Sequence, residues 1–292
     1  MHLAPHSIRA RSLRAFGFSD LCNTPAKTNC AWHLCCASVP PASFFQRHFP
    51  MNIFVVTPVY QSNPSWLNKC IDSVKAQTVD PVTQILVCDG DRTFSKPAAF
   101  AGKIVRLRRR RKDYGDTPRS KGIQRAIADG ADAIALLDDD NWFEADHIER
   151  AIECHRKAGA GVVASRRTMV DWDGNPIGVC RDCGTSKMFA DTSSIVYFRE
   201  AFSYLRIWEK MPAWQHPIGD RVMLHTLREA GLQIGLTDAP TLNYRCTHAM
   251  LYQKYNRAVP EGAKTGDSVE DAVARWEALT GHPIHLSYAL EE

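Results

Sequence analysis

Three consecutive carboxylates, Asp138, Asp139 and Asp140, form the group of residues with the most specific chemistry in this chain. They follow the apolar run 133–137, which has the pattern of a buried strand that reaches the surface at its carboxyl end. Adjacent like charges repel one another and are costly to bury without a partner. A divalent cation removes this conflict, because Mg²⁺ and Mn²⁺ prefer carboxylate oxygens and often bring a phosphate. The alternative is a solvated acidic turn, and the rest of the chain favours the metal site.

Two earlier apolar runs also end in polar residues. The run 53–56 is followed by Thr57, and the run 84–88 is followed by Asp89. Both runs are typical of short buried strands. The carboxyl ends of parallel strands meet at one edge of a sheet, and ligands bind in the crevice there. Thr57, Asp89 and Asp138 are therefore predicted to converge on one crevice.

Helical patterns alternate with these strands. Asn63 is a preferred helix cap, and Pro64 suits the first helical position. Strands are predicted at 53–56, 84–88, 103–107, 133–137, 161–164, 195–198 and 242–245, and helices from Pro64, from Thr117 and at 144–158, 219–230 and 267–279. The helical positions predicted to face the core are Leu67, Cys70, Ile71, Val74, Ile123, Ala126, Ile127, Ile148, Ala151, Ile152 and His155. The β-α-β order predicts an α/β fold with a mostly parallel central sheet flanked by helices.

Composition sets broad limits. The chain has 292 residues, of which 45% are hydrophobic and 23% charged, so it can bury a sizeable core. The net charge of +4 gives no reason to expect nucleic acid as a partner. No run approaches the roughly 18 apolar residues of a membrane span. The ten cysteines are scattered over a long chain, which favours reduced thiols and predicts a cytoplasmic protein.

Residues 1–50 differ from the rest, with four cysteines and Asp20 as their single acidic residue. Three interpretations apply: a transit peptide, a four-cysteine metal site whose spacing matches no familiar zinc pattern, or translated sequence upstream of a start at Met51. We favour the last, since Met51 stands immediately before the first strand. On each interpretation the segment is expected to be poorly ordered.

Five short segments stand in a characteristic order. They are Thr57–Tyr60, Cys70–Thr78, Asp89-Gly90, Gly115–Gly122 and the DxD element Leu137–Asp140. Each is weak alone, but together they make residues 51 to about 250 resemble a family 2 glycosyltransferase of the GT-A fold. The resemblance implies a single Rossmann-like domain over 51–292, with a nucleotide-sugar half (51–165), a mixed acceptor-side half (166–260) and a C-terminal helix (261–292).

This resemblance implies inverting transfer of a sugar from a nucleotide diphosphate to the hydroxyl of a carbohydrate or other acceptor, with Mn²⁺ or Mg²⁺ as cofactor. By resemblance, Asp140 contacts the metal, Asp138 lies near the ribose or the metal, and His248 is a further metal or diphosphate ligand. Asp139 should point away if strand geometry persists, as a supporting or structural carboxylate. A structural role for His248 is the alternative to ligation.

The resemblance also assigns a nucleotide pocket. Asp89 would accept a hydrogen bond from the base, commonly uracil N3–H, so a UDP-sugar is the expected donor. Thr57, Pro58 and Tyr60 would line the pocket, and Arg119 would pair with Asp89 or reach the base. The alternatives are a turn role for Asp89, simple packing for Tyr60 and a surface position for Arg119.

Inverting transfer needs a general base on the acceptor side. Asp220 is the best candidate, because it stands where a loop meets a predicted helix, as the family's late acidic motif does. The family usually shows Glu-Asp there, whereas Gly219 precedes Asp220 in this chain. A helix cap is the alternative role for Asp220. The other candidate bases are Asp182, Asp191 and Glu209.

Two further patterns have a weaker functional reading. Arg106 and residues 108–112 form a basic run beside the proposed diphosphate site. We interpret it as a solvated or phosphate-steering loop rather than a nucleic-acid surface, and peripheral membrane contact stays open. Cys180 and Cys183 have the spacing of half a zinc site, but no second half follows.

Two other functions remain as alternatives. A sugar nucleotidyltransferase would usually need a glycine- and lysine-rich phosphate loop near its start, and residues 57–60 do not form one. The other alternative is a non-catalytic protein that binds nucleotide sugars.

Overall fold

The computed structural model of this chain describes residues 51–180, 190–265 and 269–283. The predictions for residues 1–50, Asp182 and Cys183 lie outside the described residues and stay predictions. The strands are β1 (Ile53–Val59), β2 (Val82–Cys88), β3 (Lys103–Arg106), β4 (Ala133–Leu136), β5 (Trp142–Phe143), β6 (Val162–Val170), β7 (Pro176–Val179), β8 (Ile195–Phe198) and β9 (Ile234–Arg245). The α-helices are α1 (Pro64–Lys75), α2 (Asp116–Ala128), α3 (His147–Ala158), α4 (Ile207–Lys210), α5 (Gly219–Glu229), α6 (Ala249–Lys254) and α7 (Val269–Thr280). Short 3-10 helices lie at Thr192–Ser194, Arg199–Tyr204 and Ala213–Ile218.

The nine strands of the described residues form one sheet in the order β3-β2-β1-β4-β8-β6-β9-β5, with β7 paired to β6. Neighbours among β3, β2, β1 and β4 run parallel. Strand β8 is antiparallel to both β4 and β6, whereas β6 and β9 are parallel. The predicted α/β fold with a mostly parallel sheet is thus confirmed, and β8 joins the parallel half to a mixed half.

The strand register brings the predicted site segments to one edge. Val59 of β1 lies opposite Cys88 of β2, and Val56 lies opposite Leu136 of β4. The chain leaves these strands at Tyr60, Asp89 and Leu137, so the polar segments that follow lie along the carboxyl edge of the parallel half.

Both faces of the sheet are covered. Because side chains alternate along a strand, Val56 and its neighbours pack on one side with Ile123 of α2, whereas Val55 packs on the other with Cys70 of α1 and Ile148 of α3. Full burial of one such aliphatic side chain contributes about 1.5–3 kcal/mol. The core therefore fixes the strands whose ends carry the site.

Helix α1 begins as predicted. The Asn63 side chain accepts hydrogen bonds from the amides of Ser65 (2.9 Å) and Trp66 (3.4 Å), and Pro64 takes the first turn. Its predicted core face is confirmed, with buried Leu67, Cys70, Ile71 and Val74.

Other predictions are corrected. Ile127 is 41% exposed rather than buried, because the sheet-facing side of α2 passes through Ile123 and Ala126 and the helix ends one residue after Ile127. Helix α3 begins at His147 rather than residue 144, since Trp142 and Phe143 pair with β9 instead. Strands β6 and β9 are longer than predicted, because their polar residues are paired along each other within the sheet.

Candidate functional site

A cavity of about 440 Å³ opens at the carboxyl edge of the parallel strands. Eight of the nine predicted site residues line it: Pro58, Tyr60, Asp89, Arg119, Asp138, Asp140, Asp220 and His248. They span 190 positions of the chain, from Pro58 to His248, so the fold rather than local sequence assembles this group. Their individual roles stay predictions.

Thr57 is the exception. It is fully buried, and its hydroxyl oxygen accepts a hydrogen bond of 2.9 Å from the Gln84 side chain. Thr57 does not line this cavity, because β1 continues to Val59 and strand alternation turns the side chain of residue 57 towards α1, and its role at the nucleotide stays a prediction. Pro58 and Tyr60 reach the wall from the end of the same strand.

The carboxylate triplet lies in a turn rather than in a strand. Strand β4 ends at Leu136, and the amide of Asn141 closes the turn on the carbonyl oxygen of Asp138 at 3.1 Å. All three carboxylates, including Asp139, line the cavity. The strand geometry on which the orientation of Asp139 was predicted does not extend beyond Leu136, and the Asp139 carboxylate accepts a hydrogen bond from the Ser62 hydroxyl.

Burial raises the pKa of both Asp139 and Asp140. The charge of Asp138 adds to the rise in the pKa of Asp139, and the charge of Asp139 adds to that of Asp140. Lys264 acts in the opposite direction on both carboxyl groups. A crowded set of hard oxygen donors of this kind fits a divalent cation.

No three His, Cys, Asp or Glu side chains among the residues that the structure describes are arranged as a complete metal cluster. Mg²⁺ is usually held by one or two carboxylates together with substrate phosphates and water, so it does not require such a cluster. The donor set of Asp138 and Asp140 fits this mode of binding, with phosphate oxygens as the remaining ligands.

Arg119 ties the triplet to α2. It is 7% exposed, and its Nη2 lies 2.5 Å from Asp138 Oδ1. Its Nη1 lies 3.3 Å from Asp116 Oδ1 and donates to the Tyr114 carbonyl oxygen at 2.8 Å. Burial alone would lower its pKa, but the charges of Asp138 and Asp116 raise the pKa on balance. The predicted pairing of Arg119 with Asp89 is wrong.

Asp89 instead holds a loop. Its two carboxylate oxygens accept the amide of Arg111 at 2.9 and 3.1 Å. Burial raises the pKa of Asp89, and the hydrogen bond from Arg111 opposes that rise. Gly90 has φ +71°, and an added Cβ would lie 2.1 Å from the amide nitrogen of Arg110. The glycine is thus required for the basic loop to pack on this turn.

The packed loop brings cations to the cavity. Arg110 and Lys112 line the wall, and the guanidinium carbon of Arg110 lies 3.8 Å above the centre of the Tyr60 ring. A cation over an aromatic face is attracted by its quadrupole. This placement favours the phosphate-steering interpretation of the basic run.

Asp220 occupies the opposite side of the cavity. It is the second residue of α5, and Ile218 rather than Asp220 is the N-cap, so the capping alternative is wrong. Its Oδ1 accepts from the amide of Arg221 at 2.8 Å and from the guanidinium of Arg221 at 3.0 Å. The carboxylate is therefore held in one orientation at the wall.

Gly219 departs from the expected glutamate for a structural reason. A Cβ at this position would lie 3.1 Å from the Trp208 ring and 3.3 and 3.4 Å from the carboxylate oxygens of Asp116. A side chain at residue 219 would therefore require Trp208 or Asp116 to move by a few tenths of an ångström.

The structure reveals one pair that the sequence analysis missed. His216 Nδ1 lies 2.8 Å from Asp116 Oδ2, and both residues line the cavity. Asp116 is 1% exposed, and burial raises its pKa to about 6, although the charges of Arg119 and His216 oppose the rise. The partners are 100 residues apart. No local pattern could have joined them.

Asp191 is another acidic residue of the cavity wall. Its Oδ2 lies 3.3 Å from Arg167 Nη1. Burial raises its pKa to about 6; Arg167 opposes the rise, and the charges of Asp138 and Asp220 add to it. Among the other candidate bases, Asp191 thus lies in the cavity. Glu209 does not line it and pairs with Lys121 at 2.8 Å.

His248 follows β9 and lines the cavity beside Lys264. The two residues form a main-chain bridge, and the Lys264 amide donates to the Thr247 carbonyl oxygen at 2.8 Å. This pairing brings one further cation to the carboxylate triplet.

Comparison with known proteins now adds to this geometry. The model of the family described as glycosyl transferase family 2 matches residues 54–212, more than half of the chain. The chain belongs to glycosyl transferase family 2. The predicted family is confirmed, the protein is a glycosyltransferase, and the nucleotidyltransferase alternative is set aside. No curated protein matches the chain.

Solved structures share the fold of this family 2 glycosyltransferase. S. aureus TarS 1–349 in complex with UDP has 13% sequence identity and a TM-score of 0.52, over 79% of this chain and 73% of that chain. The same protein in complex with UDP-GlcNAc has 11% identity and a TM-score of 0.52, over 78% of this chain and 66% of that chain. Within the described residues, no helix has the length and apolar character needed to cross a membrane.

Proposed function

We propose that this glycosyltransferase moves a sugar from a UDP-sugar to an acceptor hydroxyl with inversion, with the help of Mn²⁺ or Mg²⁺. One observation carries the proposal: Asp89 and the carboxylate triplet line the same cavity as Asp220, which comes from the other half of the domain. A donor site and a proton acceptor thus share one space. TarS structures in complex with UDP and UDP-GlcNAc support uridine diphosphate as the leaving group.

The metal would be held by Asp138 and Asp140, with His248 as a further ligand. When bound, it stabilises as a Lewis acid the negative charge that grows on the departing diphosphate. An imidazole ligand suits Mn²⁺ better than Mg²⁺. Arg119 keeps Asp138 in place from the side of α2.

The nucleotide would lie along the ends of β1 and β2. Pro58 and Tyr60 form the wall there, and Asp89 marks its polar end. A nucleotide whose base leaves a buried polar group without a hydrogen-bond partner binds less favourably by about 1–3 kcal/mol. A carboxylate held in place can therefore select one base. Arg110 and Lys112 supply positive charge where the diphosphate enters.

On the acceptor side, Asp220 would take the proton of the attacking hydroxyl. The hydroxyl oxygen forms a bond to the anomeric carbon as the bond from that carbon to the diphosphate oxygen breaks on the opposite face. Among the described residues, the backbone amide and the guanidinium of Arg221 both donate hydrogen bonds to Oδ1 of Asp220. Oδ2 is therefore the atom that would accept the proton.

A cytoplasmic location is part of the proposal. Among the described residues, Cys70, Cys88, Cys154 and Cys246 are free thiols, as a reducing compartment favours.

A thermal-shift panel of UDP-, GDP- and other nucleotide sugars with Mn²⁺ tests the donor assignment. A cognate donor at 100 times its Kd should add about 2.7 kcal/mol of stability. Stabilisation by a UDP-sugar that requires the metal supports the proposal. A panel in which GDP-sugars stabilise the protein more than UDP-sugars would overturn the choice of nucleotide.

A further inference from the structure

The charge of this chain is concentrated in one segment. Residues 90–112 contain nine Lys and Arg and a single acidic residue, Asp91, for a net charge of +8. Since the whole chain has a net charge of +4, the remaining residues sum to −4. We call the exposed cations of this segment the basic rim: Arg92, Lys96, Arg106, Arg108, Arg109, Arg110, Arg111 and Lys112.

The basic rim is built from two adjacent loops at the carboxyl edge of the sheet. One loop follows β2 and the other follows β3. The guanidinium of Arg106 joins them by donating to the Phe94 carbonyl oxygen at 3.2 and 3.3 Å. Asp89 accepts the Arg111 amide, and Gly90 admits the second loop. These contacts hold the two cation-bearing loops against each other at this edge.

The rim cations make no ion pair with any part of the chain that the structure describes. By contrast, cations of the neighbouring elements do: Lys103 pairs with Asp129 at 2.8 Å, and Arg125 pairs with the same carboxylate at 2.7 Å. Exposed charges of one sign that lie close together and have no ion-pair partner produce a strong local potential. The rim is thus suited to an extended anionic surface.

Two of the aromatic rings in this region are poorly placed to bind single-stranded nucleic acid. Such ligands bind by stacking bases on exposed rings. Here Arg106 lies 5.4 Å from the centre of the Phe94 ring, and Arg110 lies 3.8 Å from that of Tyr60. A guanidinium of the rim thus already lies near each of these two rings. Tyr114, beside the rim, is 60% exposed, and Tyr is enriched where one end of a side chain is apolar and the other wet, as at a membrane surface.

We propose that the basic rim binds an anionic lipid bilayer through its headgroups. Clusters of four to eight Lys and Arg are the usual basis of such binding. Because Arg110, Lys112 and Tyr114 also line the cavity, the bilayer lies against the cavity mouth. The inference does not depend on the identity of the sugar donor.

The test is sedimentation of the full chain with phosphatidylcholine vesicles, with or without about 30% phosphatidylglycerol, at about 0.15 M salt. The rim variant carries Arg108→Gln, Arg109→Gln and Arg111→Gln, none of which lines the cavity. We expect the wild type to bind the anionic vesicles alone and to lose binding at about 1 M salt, where charges are screened. The rim variant should bind at least about tenfold more weakly.

A matched control removes three exposed cations outside the rim, by Lys75→Gln, Arg156→Gln and Lys254→Gln. It should bind the anionic vesicles within about twofold of wild type, and both triple variants should keep wild-type circular dichroism. Equal weakening in the two variants would show a non-specific effect of net charge and overturn the proposal. Binding to neutral vesicles, or to a single-stranded oligonucleotide but not to anionic vesicles, would also overturn it.

Discussion

Replacing Arg119 by Met should destabilise the protein strongly, because the guanidinium is the buried partner of two carboxylates. Its side chain is 8% exposed, and it contacts Asp138 at 2.5 Å and Asp116 at 3.3 Å. Methionine has a similar length but leaves both charges without this cation. Removing one member of a buried ion pair typically costs about 3–5 kcal/mol. The Tyr114 carbonyl oxygen would also lose its donor.

Arg125 on the same helix offers a matched control. It pairs with Asp129 at 2.7 Å, but its side chain is 50% exposed. Exposed pairs of this kind contribute about 0.2–1 kcal/mol, so Arg125→Met should have a small effect. The two variants make the same chemical change in the same helix and differ in burial.

The assay is urea unfolding followed by circular dichroism. For a loss of about 4 kcal/mol and a slope of about 2 kcal/mol per molar urea, the midpoint of the Arg119→Met variant should fall by about 2 M. The Arg125→Met midpoint should fall by less than about 0.5 M. If the two midpoints shift equally with unchanged slopes, the carboxylates are not held by Arg119 and the description of this wall is wrong.

Three further outcomes are expected. Asp140→Ala should abolish transfer and leave the unfolding midpoint near that of wild type; undiminished turnover in excess EDTA would remove the metal from the mechanism. Asp220→Asn should lower turnover by about 10²–10⁴-fold while calorimetry shows unchanged UDP affinity; turnover within a few-fold of wild type would direct the search for the base to Asp191. Burial lowers the pKa of His147 to about 3, whereas the pKa of histidine in the unfolded chain is roughly 6.5. The unfolded state therefore binds a proton first, and the free energy of unfolding should fall by about 1.4 kcal/mol per pH unit as the pH drops from about 6.5 towards 3. In His147→Asn this acid dependence should weaken when urea midpoints at pH 7 and pH 5 are compared, and an unchanged difference would contradict the assignment.

The early part of the fold could be predicted because its signals are local. Asn63 and Pro64 mark the start of α1, and the apolar runs before Asp89 and Asp138 mark two strands of the parallel half. Since parallel strands share one carboxyl edge, the convergence of these ends follows from the order of the elements alone.

The remainder could not be predicted because its partners are distant in the chain. Strand length decides the side to which Thr57 points, and pairing between strands extends β1 by three residues beyond the apolar run. The contact between Asp116 and His216 depends on how closely α5 approaches α2, which Gly219 permits. Neither feature leaves a periodic pattern in the sequence.

The central claim is that one cavity holds both a nucleotide-sugar donor and the group that activates the acceptor. The most direct measurement is UDP release from a panel of UDP-sugars, including UDP-GlcNAc, by wild type and Asp220→Asn in the presence and absence of Mn²⁺, with water as the acceptor that is always present. We expect metal-dependent release by wild type and little release by Asp220→Asn, although both bind UDP. The claim would be contradicted if the wild-type protein bound UDP-sugars but released no more UDP than the Asp220→Asn variant. That result would indicate a protein that only binds its ligand.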